Sequence, residues 1–80
     1  GFLTCKFSSP SNRGVPDRLF ISPYGEVFFM EFKSEKGKLT KLQEKVINDI
    51  ETYQIDVFVI NNVEDGLEIL ALMNVDYFDD

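Results

Sequence analysis

The sequence has no histidine and no tryptophan, a single cysteine, and no basic residue after position 45. Without histidine there is no imidazole general base, no Ser–His triad and no histidine-ligated zinc. One cysteine, Cys5, excludes an internal disulfide and suits a reducing compartment. No apolar run approaches the roughly 18 residues that cross a bilayer. No glycine-rich phosphate loop follows any strand-like run, which leaves a flavodoxin-like small-molecule enzyme without support. What is present is 80 residues, 44% hydrophobic and 14% aromatic, enough for one folded α/β domain near the lower size limit for a self-sufficient core.

The net charge of -6 argues at first against a nucleic-acid partner, because phosphate binding wants basic surface. Its distribution argues otherwise. All eight bases lie within residues 1–45 against five acids, a net of +3, whereas residues 46–80 carry nine acids and no base, a net of −9. Two of the five N-terminal acids belong to the candidate site described below, so an empty site masks part of its own positive field.

Residues 3–7 can form a short strand, and the turn-rich stretch 8–14 (SSPSNRG) reads as an exposed loop. Residues 18–21 and 27–32 read as two strands joined by a hairpin-type connection, Ser22-Pro23-Tyr24-Gly25-Glu26. After a charged loop over 34–38, Thr40 opens a helix whose Leu39, Leu42, Val46, Ile47, Ile50 and Tyr53 share one face at 3.6-residue spacing. Residues 56–60 (DVFVI) predict a buried strand, 61–62 a turn or cap, and 63–72 a second helix, followed by an acidic tail over 74–80. A helical crossover between 27–32 and 56–60 joins parallel strands, so the expectation is a mixed sheet of about four strands flanked by helices. Phe28, Phe29, Phe58 and Tyr53 are expected in the core, and Cys5 as a buried strand residue. Phe7 and Tyr24, beside loops, are the candidates for base stacking.

The chemistry-bearing stretch is Gly14-Val15-Pro16-Asp17-Arg18, followed one hairpin later by Glu31-Phe32-Lys33. Strand alternation puts Glu31 and Lys33 on one face, with Cα atoms roughly 6.6 Å apart. If Ile21 pairs with Val27, then Leu19 faces Phe29 and Asp17 faces Glu31, with Cβ atoms roughly 5 Å apart. A one-residue slip would turn Asp17 to the other face. Pro16 cannot extend a ladder, so strand pairing should stop close to this point. Two carboxylates so opposed repel each other unless a cation lies between them, and a hard divalent ion suits their oxygens. Lys33 is then placed to stabilise charge building on a phosphate and to orient water.

Pro16-Asp17 followed by Glu31-Phe32-Lys33 resembles the PD-(D/E)xK nuclease superfamily, which has a restriction-endonuclease-like core. The longer strings GVPDRLF, VFFMEFKSEKGKLTKLQEKV and DVFVI resemble the virus-type replication-repair nuclease (VRR-NUC) family over roughly residues 5–70, with Gly14, Gly37-Lys38-Leu39 and Gln43 adding to the match. The resemblance implies Asp17 and Glu31 as ligands of Mg²⁺ or Mn²⁺, the Phe32 backbone carbonyl as a third, Lys33 as the catalytic lysine, and Gln43 facing the site from the helix. It further implies DNA cleavage in replication or repair, in the cytoplasm of a bacterial or phage-infected cell. Short stand-alone members resemble Holliday-junction resolvases and act as homodimers, whereas longer relatives carry this domain on flap-processing repair proteins. Family members usually open with a helix whose glutamate also reaches the metal. This sequence opens at Gly1 and shows no such helix.

Simpler roles stand beside these. Thr40-x-x-Gln43 fits a helix capping box as well as a site residue. Lys36, Lys38, Lys41 and Lys45 could be a solvated edge; read as a DNA footprint, Lys36 and Lys38 join Arg13 and Arg18, which flank the Gly-Pro-Asp turn. A non-catalytic DNA-binding or interaction module with an incomplete metal site is the competing function.

Overall fold

A computed structural model describes residues 1–6 and 14–74. Four strands and two helices follow in the order β1 (Leu3–Lys6), β2 (Arg18–Ile21), β3 (Val27–Phe32), α1 (Lys41–Glu51), β4 (Asp56–Ile60) and α2 (Val63–Met73). The sheet order is β1-β2-β3-β4; the first two pairings are antiparallel and the last is parallel, as the helical crossover requires.

Register is set at the β2–β3 connection. Buried Ser22 donates its backbone N–H to the Glu26 carbonyl at 2.8 Å, and its Oγ accepts from the amides of Tyr24 at 3.2 Å and Glu26 at 3.1 Å. A hydroxyl that bonds the backbone two and four residues ahead fixes the turn locally. Beyond it Ile21 pairs with Val27, Leu19 with Phe29 and Arg18 with Met30.

Alternation then divides the side chains between two faces. Phe20, Phe28, Met30 and Ile60 form the core beneath α2, joined by Phe58 and by Ile69, Leu70 and Met73 of the helix. Phe28 is fully buried, stacked on Phe20 at 5.3 Å and met edge-on by Phe58 and Phe2. The side chain of Asn62 caps α2 by accepting from the Asp65 amide at 2.8 Å. An apolar cavity of about 370 Å³ lies on this face, between Met30, Phe32 and Ile60 of the sheet and Gly66, Leu67 and Leu70 of α2. The other face carries Leu19, Phe29, Glu31, Val57 and Val59 and is partly covered by α1.

Three sequence expectations need correction. The 56–60 strand is not buried throughout: β4 is an edge strand in which only Ile60 is buried. Tyr53 is 78% exposed, because α1 ends at Glu51 and the 3.6-residue phase does not continue through the turn that leads to Gln54, whose φ is 65°. Cys5 is exposed, since β1 is an edge strand on which every residue is exposed. Phe7, Arg13, the loop expected over 8–13 and the tail over 75–80 lie outside the described residues. No helix among the described residues is long and apolar enough to cross a membrane.

Candidate active site

Gly14 turns the chain into the site. Its φ of 88° is one that L side chains rarely adopt, and an added Cβ would lie 3.0 Å from Leu42 Cγ and 3.2 Å from both Leu42 O and Val46 Cγ2. The absent side chain lets residues 14–16 lie against α1, with Pro16 fully buried behind them. Proline has no N–H to donate, and β2 begins at Arg18, two residues later. Asp17 takes over where the ladder stops: its Oδ2 accepts the Phe32 backbone N–H at 2.8 Å, tying the start of β2 to the end of β3.

That bond, and a register that runs one step beyond Arg18–Met30, set Asp17 beside Glu31. Glu31 is 3% exposed, a rare state for a carboxylate. Burial raises its pKa above the usual carboxylate value, the adjacent Asp17 raises it further, and Lys33 opposes both. Lys33 Nζ lies 3.6 Å from Glu31 Oε2. Gln43 donates its Nε2 to the same oxygen at 3.2 Å.

Gln43 fills both roles open to it. Its Oε1 accepts the Thr40 backbone N–H at 2.9 Å, and its own N–H donates to Thr40 Oγ1 at 3.1 Å, so the capping box is complete. With the amide oxygen held by Thr40, the amide nitrogen is the end left to face Glu31. The helix cap therefore sets the polarity of the group presented to the carboxylate.

Four of the expected site residues, Asp17, Glu31, Lys33 and Gln43, thus meet on the α1 face of the sheet. The basic residues behave differently. Arg18 pairs with Met30, which puts it on the opposite face from Asp17 and Glu31. Lys36 and Lys38 are exposed in the β3–α1 connection, directly after Lys33. Lys41 and Lys45 are exposed and lie on the side of α1 away from buried Ile47. Two positioning residues were not singled out from sequence. Ser22 sets the hairpin register, and Asn61 donates its Nδ2 to the Ser34 carbonyl at 2.9 Å and, more weakly, to the Gly37 carbonyl at 3.4 Å. Only the Asn61-Asn62 turn signal pointed toward the second.

Chemically, the site offers two carboxylates, a lysine ammonium and a primary amide within one small region. Hard oxygen ligands suit Mg²⁺ or Mn²⁺, and Mg²⁺ is commonly held by one or two carboxylates together with substrate phosphate and water. The repulsion that helps raise the Glu31 pKa is what an intervening cation would relieve, so the donor set fits a divalent ion. Among the described residues, no cluster of three or more His, Cys, Asp or Glu side chains gathers as a closed protein-only cage. The apolar cavity beneath α2 lies mostly on the other face and meets the site only at its rim, where Lys33 is among its lining residues.

No family model matches the chain, and no solved structure matches it. A protein named "Putative nuclease p44", from Acyrthosiphon pisum secondary endosymbiont phage 1, is 46% identical to it over 43 residues. That stretch is 54% of this chain and 46% of the phage protein, so the match spans less than half of the relative's length.

Proposed function

We propose that this chain is a metal-dependent DNA endonuclease of the PD-(D/E)xK type, akin to the VRR-NUC family. The observation that carries the reading is the meeting of Asp17 with buried Glu31 across the hairpin, with Lys33 and Gln43 both directed at Glu31. The partial likeness to a phage protein named as a nuclease supports the same reaction class.

In this reading Asp17 and Glu31, with the Phe32 backbone carbonyl, hold Mg²⁺ or Mn²⁺. When bound, the cation supplies Lewis-acid polarisation of the scissile phosphate and lowers the pKa of water. Glu31, held by Gln43, keeps a fixed orientation through turnover. The Lys33 ammonium faces the charge that builds on the phosphate oxygens and orients the attacking water, a stabilisation that grows toward the transition state. DNA is bound through backbone phosphates, with Lys36, Lys38 and Arg13 as the cationic contacts. Arg18 would contribute from the end of β2, on the opposite face of the sheet, rather than from within the site. Branched or junction DNA is the proposed substrate, and a homodimer the proposed assembly. Symmetric cutting of two strands needs two sites, and a chain this small gains stability from association.

One observation favours the competing reading of a non-catalytic DNA-binding or interaction module: among the described residues no third His, Cys, Asp or Glu joins Asp17 and Glu31. Mn²⁺-dependent cleavage of branched and linear DNA by the wild type and by Glu31→Ala separates the two. The nuclease reading expects cleavage by the wild type only, and only with the metal. Cleavage that survives Glu31→Ala, or that proceeds in EDTA, overturns it. DNA binding without cleavage supports the module.

A further inference from the structure

The connection between β3 and α1 is charged and exposed, yet it is held at three points. Where it leaves β3, the Lys33 N–H donates to the Ile60 carbonyl at 2.8 Å. Where it enters α1, the Thr40–Gln43 capping box closes it. Between them, residues 34–37 form a turn in which the Gly37 N–H donates to the Ser34 carbonyl at 2.8 Å. The same two residues present their carbonyls to Asn61 Nδ2, which reaches them from the end of β4. Gly37 is packed closely here: a Cβ on it would lie 2.9 Å from Ser34 Oγ and 3.2 Å from Ser34 N.

The turn and the residue that follows it carry Glu35, Lys36, Gly37 and Lys38 in succession. Two lysines and one glutamate, all exposed, make a net charge of only +1. A turn of mixed charge that reoriented freely would offer Glu35 to a phosphate backbone as readily as it offered either lysine. Selective attraction therefore depends on geometry, and an amide that bridges two carbonyls of one turn supplies it. The primary amide suits that task because its two N–H donors can serve two acceptors.

We propose that Asn61 is a positioning residue that fixes the 34–37 turn so that Lys36 and Lys38 meet the nucleic-acid backbone on the 3′ or 5′ side of the phosphate engaged by Lys33. This rests on the nuclease reading of the Asp17–Glu31–Lys33 site. Asn61 itself touches no substrate; it acts through the two lysines.

The test is fluorescence anisotropy of fluorescein-labelled duplex and four-way-junction DNA in CaCl₂ across a series of NaCl concentrations. The proteins compared are the wild type, Asn61→Ala, the Lys36→Ala/Lys38→Ala pair, and the triple variant. Losing two phosphate contacts lowers the slope of log Kobs against log salt by about 1.8. The lysine pair is expected to show that loss, and Asn61→Ala alone to lose about 1 or more. In the lysine-free background Asn61→Ala should change neither slope nor affinity further, whereas a general structural role would persist there. Amide exchange at Gly37 should quicken in Asn61→Ala while the β3 amides stay protected. Gly37→Ala distorts the same turn without touching β4 or α2, and should give the same slope loss if Asn61→Ala does not fold. A wild-type slope in Asn61→Ala, or an equal loss of affinity with and without the lysines, overturns the proposal and leaves the nuclease reading standing. A lysine pair with a wild-type slope does the same. A wild type that binds neither DNA overturns both.

Discussion

Glu31→Gln should stabilise the cation-free protein at neutral pH although it removes the ion-pair partner of Lys33. In the folded state the carboxylate is 3% exposed, 3.6 Å from Lys33 and beside Asp17. At the roughly 5 Å spacing typical of directly opposed strand residues, two like charges cost about 0.8 kcal/mol in bulk water and about 3 kcal/mol at an effective dielectric constant of 20. The Lys33 attraction is of similar size, about 1 to 5 kcal/mol over the same range. Desolvation, which costs an ion several kcal/mol, tips the balance against the charged form. The raised pKa of Glu31 records that outcome. A carboxyl whose folded pKa lies above its unfolded value contributes stability at low pH, and that contribution is lost as pH rises through the folded pKa. Glutamine keeps the shape and an acceptor for Gln43 but has no such loss. The variant should therefore match the wild type below the ordinary carboxylate range and exceed it above the raised Glu31 pKa. A net gain of about 1 kcal/mol corresponds to roughly 4–8 °C in Tm for a domain of this size. Differential scanning fluorimetry in EDTA from pH 4 to 8 reads it directly. Adding Mg²⁺ or Mn²⁺ should reverse the order: the wild type gains about 2.7 kcal/mol at a hundredfold excess over Kd, and the variant gains little. A Glu31→Gln protein less stable than wild type in EDTA at pH 8, or a difference that does not vary with pH, would refute the electrostatic account of the site.

Lys33→Met should abolish cleavage while leaving DNA binding within about tenfold, because one phosphate contact is lost but the transition-state charge is left unmatched; single-turnover cleavage alongside anisotropy checks both halves. Gly14→Ala should cost about 1–3 kcal/mol, since its φ of 88° and the contacts with Leu42 and Val46 penalise any Cβ, and urea denaturation should show a lower midpoint at unchanged m-value. Gln43→Glu preserves the capping box but sets a third carboxylate against Glu31 Oε2. The circular-dichroism helix signal should persist while Tm falls in EDTA, and divalent cations should restore more stability than they give the wild type.

Much of the site could be read from the sequence because short-range chemistry fixes it. A five-residue connection and two alternating strands leave few registers, and the one that pairs Ile21 with Val27 is the one found. The capping box of Thr40 and Gln43 is likewise a local pattern, and it forms. Where the reading went wrong, the cause lay outside the local pattern or in a pattern applied too far. Tyr53 fits the helical stripe only if the helix runs on past Glu51. Cys5 looks like core until its strand is known to be an edge. Arg18 is a DNA-contact candidate because it flanks the Gly-Pro-Asp turn, and the alternation that joins Asp17 to Glu31 puts it on the opposite face from them. Asn61 was least legible. It bonds carbonyls 24 and 27 residues away, a contact that exists only once β4 lies parallel to β3.

Strand β3 makes the accuracy of the chemistry depend on the accuracy of folding. Met30 and Glu31 are consecutive and both buried, one beneath α2 and the other in the site. A chain that shifted this strand by one residue would turn Glu31 and Lys33 together toward the phenylalanine cluster and bring Met30 round to the α1 face. Such a chain would be too unstable to persist, so it could not survive as a folded protein with misplaced ligands. The core thereby proofreads the site, and any molecule that passes the test of folding has its carboxylates on the correct side.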